Sequence, residues 1–469
     1  MTGDPRAAVL PSVEDPVVRR LSEGVGGPAG RRIAPGSWWT PVRVALVLVF
    51  LASGLGVLAK QHCRAEGWNT PDQFVHACYS DIPHLFHSRA LARGEVPYLA
   101  EVGPDEQVEY PVLTGVVMYA TAVLVPDSPD PAERSRRYFD VNVLLIAVCA
   151  AGTVILTART AGHRPWDAVM VAVAPGLVLA GTVNWDMWAV LLTSAAMWAW
   201  ARERPVAAGV WLGLATATKF YPLLLLGPLF LVCLRAGRLG AFARTVAAGA
   251  GAWLAVNLPF MVGNFEGWAR FYRLSQERGA GFSSIWFVLD QQGLKLEAPV
   301  LNRVATLTLL ACCIAIAGLA LSAPRRPRLP QLAFLTVAAF LLTNKVYSPQ
   351  YVMWLLPLAV LARPRWRDVL IWQVCEVIHF FGIWYLLAGY DPGRADRALN
   401  ATGYGITVAI HVAGTLWLAA LVVRDVLDPQ QDPVRSGGAD DPAGGVVDAA
   451  PDTPAFGGGG GGGDGDGDP

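Results

Sequence analysis

Charge is what this sequence has least of. Only 16% of its 469 residues are Asp, Glu, Lys or Arg, against about 25% in a soluble globular chain. Acids and bases balance at 37 each, so the formal net charge is zero, and nothing in the electrostatics suggests nucleic acid as a partner. No internal repeat is visible, which argues against the transporters built from inverted repeats. No signal peptide is expected, because the first apolar run starts late and lacks a small-residue cleavage site. Cysteine is also sparse: of seven, most lie inside apolar runs and read as small core residues.

What fills the chain is apolar. Hydrophobic residues make up 54% and the mean hydropathy is +0.39. Apolar runs occur near 42–60, 111–126, 138–158, 168–183, 187–201, 206–218, 220–234, 245–262, 299–322, 331–343, 350–362, 369–388 and 405–423. Runs of this length between short Arg/Pro stretches predict an all-α, polytopic membrane protein. The 17 Trp fit interface anchors.

Arginine sets the expected orientation. "RERP" (202–205), "RAGRLGAFAR" (235–244), "PRRPR" (324–328) and "RPRWR" (363–367) read as cytoplasmic loops, and Arg31, Arg32 and Arg43 keep the N-terminus inside. The loop of about 60–110 then lies outside, where Cys63 and Cys78 could pair. If all thirteen runs crossed, the basic loops of the C-terminal half would fall outside. The run 111–126 is short and opens "YPVLTG", so it is expected to be interfacial or re-entrant, leaving about 12 spans and extracytoplasmic juxtamembrane helices. The alternative, that "KFYP" splits no helix and 206–234 is one long span, stays open. Residues 1–40 and 425–469 are Pro/Gly-rich and are expected to be disordered cytoplasmic tails around a 41–424 membrane domain.

Polar residues collect on the expected outer side. Asp81 opens "SDIPHLFHSRAL", an amphipathic helix with Ile82, Leu85, Phe86 and Ala90 on its apolar face; a helix cap is its plainer reading. Glu109 in "VEYPVLTG" could be a first-turn acid favoured by the helix dipole. Asp186 in "TVNWDMWAVLL" stands at the head of a span, where an acid faces either a loop or a cavity. Lys219 in "ATATKFYPLLLL" and Lys345 in "LLTNKVYSPQYVMWLL" are lone cations between apolar runs, each followed by Tyr and Pro. They either snorkel or hold an anion at the membrane surface. Glu376 and His379, in "QVCEVIHFF", lie one helical turn apart inside a span. That pairing can bind metal, but with no partner motif it reads as a self-satisfied polar pair.

The order and sidedness of these motifs resemble those of a GT-C glycosyltransferase. "CYSDIPHLF", "VPY", "VEYPVLTG", "KFYPLLLL" and "NKVYSPQYVMWLLPL" are most similar to glycosyltransferase family 87, the polyprenyl-phosphate-mannose-dependent α-(1→2)-mannosyltransferases of bacteria. The resemblance runs from about residue 42 to 423. One departure is Tyr110-Pro111-Val112, where many relatives read Tyr-Pro-Pro. The resemblance implies a GT-C fold in the plasma membrane with an extracytoplasmic site. A hexose, above all mannose, would pass from a polyprenyl-phosphate donor to a glycolipid or cell-envelope glycan, with inversion. Asp81 would be the general base. Glu109 and Asp186 would orient the acceptor, or join Asp81 in holding Mg²⁺ or Mn²⁺ if a divalent cation is used. Lys219 and Lys345 would meet the lipid phosphate, with Tyr221 and Tyr347 beside them. His84, Arg89, Tyr110, Asn344 and Gln350 are further candidates. No sugar-nucleotide site is expected, since no Gly-rich loop follows a strand. A transporter or flippase for a polyprenyl-linked or other anionic solute is the alternative, although it leaves the surface helices unexplained.

Overall fold

The computed structural model describes residues 8–32, 37–390 and 398–453. It is all-α, 74% helical, with no strand among the described residues. Among the described residues, six helices are long and apolar enough to cross a membrane: Pro41–Ala59, Pro131–Thr160, Leu239–Gly263, Ala298–Ser322, Trp366–Ala388 and Ala401–Leu427. Shorter apolar helices complete the bundle, among them Val112–Val123, Asp186–Ala201, Pro205–Thr218, Leu329–Thr343 and Val352–Ala362. The expected count of about 12 full spans is not reached by single long helices, because several apolar runs are short or broken.

The breaks have local causes. The run 168–183 divides into Ala168–Ala172 and Pro175–Ala180, since Pro175 has no N–H and clashes with a preceding helical turn. The run 206–234 also divides. Its first helix ends at Thr218, Lys219 is extended (φ −149°, ψ 153°), and a 3-10 turn Tyr221–Leu225 leads into Leu226–Arg235. Pro222 has no N–H to offer the Thr218 carbonyl four residues back and its ring clashes there, so the helix ends at Thr218 and "KFYP" is a joint. Val112–Val123 has 12 residues, about 18 Å of helix, too short for a hydrocarbon core of about 30 Å.

Close packing follows the small residues. Pro205–Thr218 lies along Leu239–Gly263 with Gly209 and Gly213 at the seam. A Cβ on either would come within 2.2 Å of the Thr245 or Gly249 carbonyl oxygen. Glycine four residues apart lets two membrane helices approach at backbone distance.

The bundle has two chemically distinct ends. One carries the disulfide and the residues described in the next subsection. The other gathers buried arginines and the described parts of the tails, residues 8–32 and 428–453. Arg328 donates Nε to Asp432 at 2.7 Å and also bonds the Leu361 carbonyl. Arg363 pairs with Asp368 at 2.7 Å and with Asp425. Arg164 pairs with Glu14 at 2.5 Å and Asp167 at 2.8 Å.

Stretches of the two expected tails have regular or docked structure among the described residues. Pro16–Gly26 is a helix capped by Asp15, and residues 428–453 lie against the bundle with Asp432 and Asp441 buried. Composition counts the apolar surface a segment can bury. These segments are fixed instead by acids that meet arginines of the membrane domain. The Gly/Asp run at 457–469 and residues 1–7 lie outside the described residues.

Candidate active site

The chain after Pro41–Ala59 is tied down before it reaches Asp81. Lys60, only 1% exposed, donates Nζ to the Tyr79 carbonyl at 2.9 Å. Cys63 and Cys78 form a disulfide. Ser80, not Asp81, caps the helix Asp81–Ser88, its Oγ accepting from the Ile82 N–H at 3.3 Å. Ser80 Oγ also donates to the Thr182 carbonyl at 2.8 Å, and the Asp81 N–H donates to the Val183 carbonyl at 2.7 Å. These bonds fasten the loop to the segment that runs into Asn184, Trp185 and Asp186.

Relieved of capping, the Asp81 carboxylate turns to two phenols. Oδ1 accepts from Tyr79 at 2.7 Å and Oδ2 from Tyr110 at 3.3 Å. Tyr98 fixes the bend at Tyr110 by donating to the Tyr110 and Pro111 carbonyls at 2.9 and 3.0 Å. Thr114 Oγ1 donates to the Thr218 carbonyl at 2.6 Å, which docks the start of Val112–Val123 beside Lys219. The Lys219 ammonium lies 4.5 Å from the Tyr110 ring centroid and 2.8 Å from Asp186 Oδ1. Asp186 Oδ2 accepts from Trp354 Nε1 at 3.0 Å, and Tyr351 stacks on Trp354 at 3.8 Å.

Asp81, Tyr110, Lys219, Asp186 and Trp354 are thus one connected group drawn from five separate segments. Burial pushes the Asp81 carboxyl above the ordinary carboxylate range. The hydrogen bonds from Tyr79 and Tyr110 and the charge of Lys219 oppose that rise without cancelling it. A carboxyl so placed is a stronger base than a solvated one and is open to exchange with an incoming hydroxyl.

The other predicted residues are placed differently. Glu109 pairs with Arg89 at 3.1 Å, and Arg89 also donates to the Asp105 carbonyl at 2.9 Å. His84 bonds Gln73 at 2.7 Å and its ring stacks on Tyr79 at 5.3 Å. Tyr221 stacks on Trp354 at 4.5 Å, while its hydroxyl donates to Thr193 at 3.1 Å, away from Lys219. Lys345 donates to the carbonyls of Gln276, at 3.2 Å, and Arg278. Asn344 closes a turn onto the Val346 carbonyl at 2.8 Å, and Gln350 is buried in the turn Pro349–Tyr351. Tyr347 is buried against His411, 4.5 Å between ring centroids.

Asp81, Glu109 and Asp186 do not converge as a ligand set. Each is committed to partners of its own, and the described residues group their ligand atoms elsewhere. No step through a divalent cation is derived from them.

Four residues escape sequence reasoning. Tyr79 holds Asp81; Tyr351 and Trp354 wall Asp186; Arg278 lies within electrostatic reach of both Tyr351 and Lys345. Tyr351 and Trp354 share a helix face at a spacing of three, which is a readable signal, whereas Arg278 sits in a loop with no pattern around it.

The model of glycosyltransferase family 87 matches residues 110–344, half of the chain. The chain belongs to glycosyltransferase family 87. It is a membrane glycosyltransferase, with a sugar donor, an acceptor substrate and a lipid bilayer as its partners. The match spans Tyr110, Asp186 and Lys219. Asp81, Tyr351 and Trp354 fall outside the matched residues and meet those three through the fold. No curated protein matches the chain.

Proposed function

We propose that this family 87 enzyme transfers a hexose, mannose foremost, from a polyprenyl-phosphate donor to a glycolipid or cell-envelope glycan. The observation that carries the reading is the half-buried Asp81 carboxylate set beside the buried Lys219–Asp186 pair. An acceptor hydroxyl and a departing phosphate need a base and a cation close together.

In this reading Asp81 takes the proton of the acceptor hydroxyl. The acceptor oxygen attacks the anomeric carbon, and the bond from that carbon to the phosphate oxygen breaks. The phosphate leaves with the electron pair, and Lys219 offsets its charge. Direct displacement inverts the centre, so a β-linked donor gives an α product. Asp186 and Trp354 hold Lys219 in position. Glu109, fixed by Arg89, orients the acceptor. Lys345 and Arg278 add positive charge on the Tyr351 side of the group.

The reaction is assigned to the extracytoplasmic face of a bacterial plasma membrane, with a 41–424 membrane domain and both tails inside. Two features support that orientation. A disulfide persists in an oxidising compartment, and it closes the loop before Asp81. Buried Arg164, Arg328 and Arg363 share the opposite end with the described parts of both tails, in keeping with the positive-inside bias.

The test is transfer by the purified protein in lipid, from radiolabelled polyprenyl-phosphate-mannose to candidate glycolipids. Transfer that requires Asp81 is expected. Transfer from a sugar nucleotide instead would overturn the donor assignment.

A further inference from the structure

The Glu376–His379 pair, unremarkable as a sequence motif, has a third member. His411, on the neighbouring helix Ala401–Leu427, reaches the same point from across the helix interface. All three side chains are buried: Glu376 is 4% exposed and the two histidines 0%. Their ligand atoms lie within 4.8 Å of one another. His411 Nδ1 is 3.5 Å from a Glu376 carboxylate oxygen, and the two imidazoles stack at 4.1 Å with their planes 19° apart.

The histidines are poorly explained by hydrogen bonding. None of the four ring nitrogens has a hydrogen-bond partner among the described residues. A neutral imidazole carries one donor and one acceptor, and buried groups of this kind are nearly always bonded. Stacked rings cannot bond each other edge to edge, so a proton shared between them is no remedy. Bonding Glu376 to His411 would still leave His379 unsatisfied.

The carboxylate, by contrast, is held. Trp372 Nε1 and Thr415 Oγ1 both donate to Glu376 Oε1, at 3.1 and 3.2 Å. Bonds of that kind orient a ligating carboxylate from outside the coordination sphere. Two imidazole nitrogens and one carboxylate oxygen are the donor set of three-ligand zinc centres.

We propose that Glu376, His379 and His411 bind a divalent transition-metal ion of the zinc class inside the membrane domain. The ion takes one nitrogen from each imidazole, is partly neutralised by Glu376, and pins Trp366–Ala388 to Ala401–Leu427. Its neighbour Tyr347 stacks on Tyr351 at 6.3 Å, and Tyr351 in turn stacks on Trp354. The centre therefore braces the wall behind Asp186. It does not depend on the donor or acceptor assigned above.

The experiment uses the full chain in detergent or nanodiscs, washed with chelator, supplied with Zn²⁺ or Co²⁺ and desalted. Bound metal is counted by elemental analysis, and Co²⁺ is read by its visible d–d bands. About one ion per chain at this site is expected, lost in His411→Gln and His379→Gln. It should be retained in the His62→Gln/His76→Gln double variant, which removes the exposed His62–Asp72–His76 group. A wild-type chain that takes up no stoichiometric metal overturns the proposal. So does metal that disappears with His62 and His76 but survives in His411→Gln. Should His411→Gln fail to fold, X-ray absorption on the His62→Gln/His76→Gln protein decides. Two imidazole nitrogens and a carboxylate oxygen at about 2.0–2.2 Å support the site, and a shell of oxygens alone overturns it.

Discussion

Lys219 and Asp186 form an ion pair at 2.8 Å, with side chains 11% and 3% exposed. Neither charge is plausible there alone, because burying an unpaired charge is costly. Lys219→Met leaves Asp186 without its cation and should cost about 3–5 kcal/mol. Asp186→Asn combined with Lys219→Met should recover much of that stability, since no lone charge remains. Thermal unfolding in detergent reads both. Neither variant should transfer sugar, so restored stability without restored activity separates catalysis from folding. An active double variant would remove Lys219 from the phosphate site.

Asp81→Asn keeps the shape of the side chain and loses the base. Ser80 already caps the helix, so the substitution should leave expression and folding near wild type. Removing a general base should lower transfer roughly 10²–10⁴-fold while donor binding persists. Substantial transfer by Asp81→Asn would falsify the base assignment.

Activity should fail in acid before the fold does. The folded carboxyl of Asp81 sits above its ordinary value through burial. The base is therefore lost, as pH falls, earlier than for a solvated carboxylate. The stability linkage has the opposite sign: a raised carboxyl binds its proton more tightly folded than unfolded, so this group's contribution grows as pH falls. The low-pH loss should reverse on return to neutral pH. The activity profile, with near-UV circular dichroism at each pH, checks this, and irreversible loss at the first acid step would contradict it.

The Cys63–Cys78 bridge spans 15 residues. Closing a loop of that size is worth about 3 kcal/mol. Replacing both cysteines with serine should lower the unfolding temperature and weaken activity, because the bridge precedes Ser80 and Asp81. Wild-type protein treated with reductant should shift the same way, and the double serine variant should not respond to reductant at all.

Asp432 is fully buried and accepts from Arg328 Nε at 2.7 Å and Nη2 at 3.0 Å. Asp432→Asn should cost about 3–5 kcal/mol, since Arg328 keeps its charge in the same place. Limited proteolysis should then cut the 428–453 segment faster. Equal proteolysis rates would mean that the segment is held by something other than this pair.

The sequence by itself determined the solvent of this fold and the joint at "KFYP", while the joint at Pro175 falls inside a stretch, 168–183, that reads as one run. Apolar runs bounded by arginine specify helices in a bilayer, and Pro175 and Pro222 break two of them for reasons local to the backbone. Asp186, Lys219 and Lys345 stood out because a charge among apolar neighbours is costly and needs a reason, and Asp81 and Glu109 because each is an acid heading a helix beside the membrane. Tertiary structure decided which charges meet. Lys219 and Lys345 look alike in sequence, yet one ammonium pairs with Asp186 and the other bonds the Gln276 and Arg278 carbonyls at the end of a helix. Asp81 could have been a cap until Ser80 took that duty. His411 carries no motif, and its approach to Glu376 and His379 depends on how two long helices cross. The tails read as unfoldable because composition records the apolar area a segment lacks, not the buried arginines waiting for its acids. Periodicity and breaking are local properties of the backbone; pairing depends on distances that only the packed chain sets.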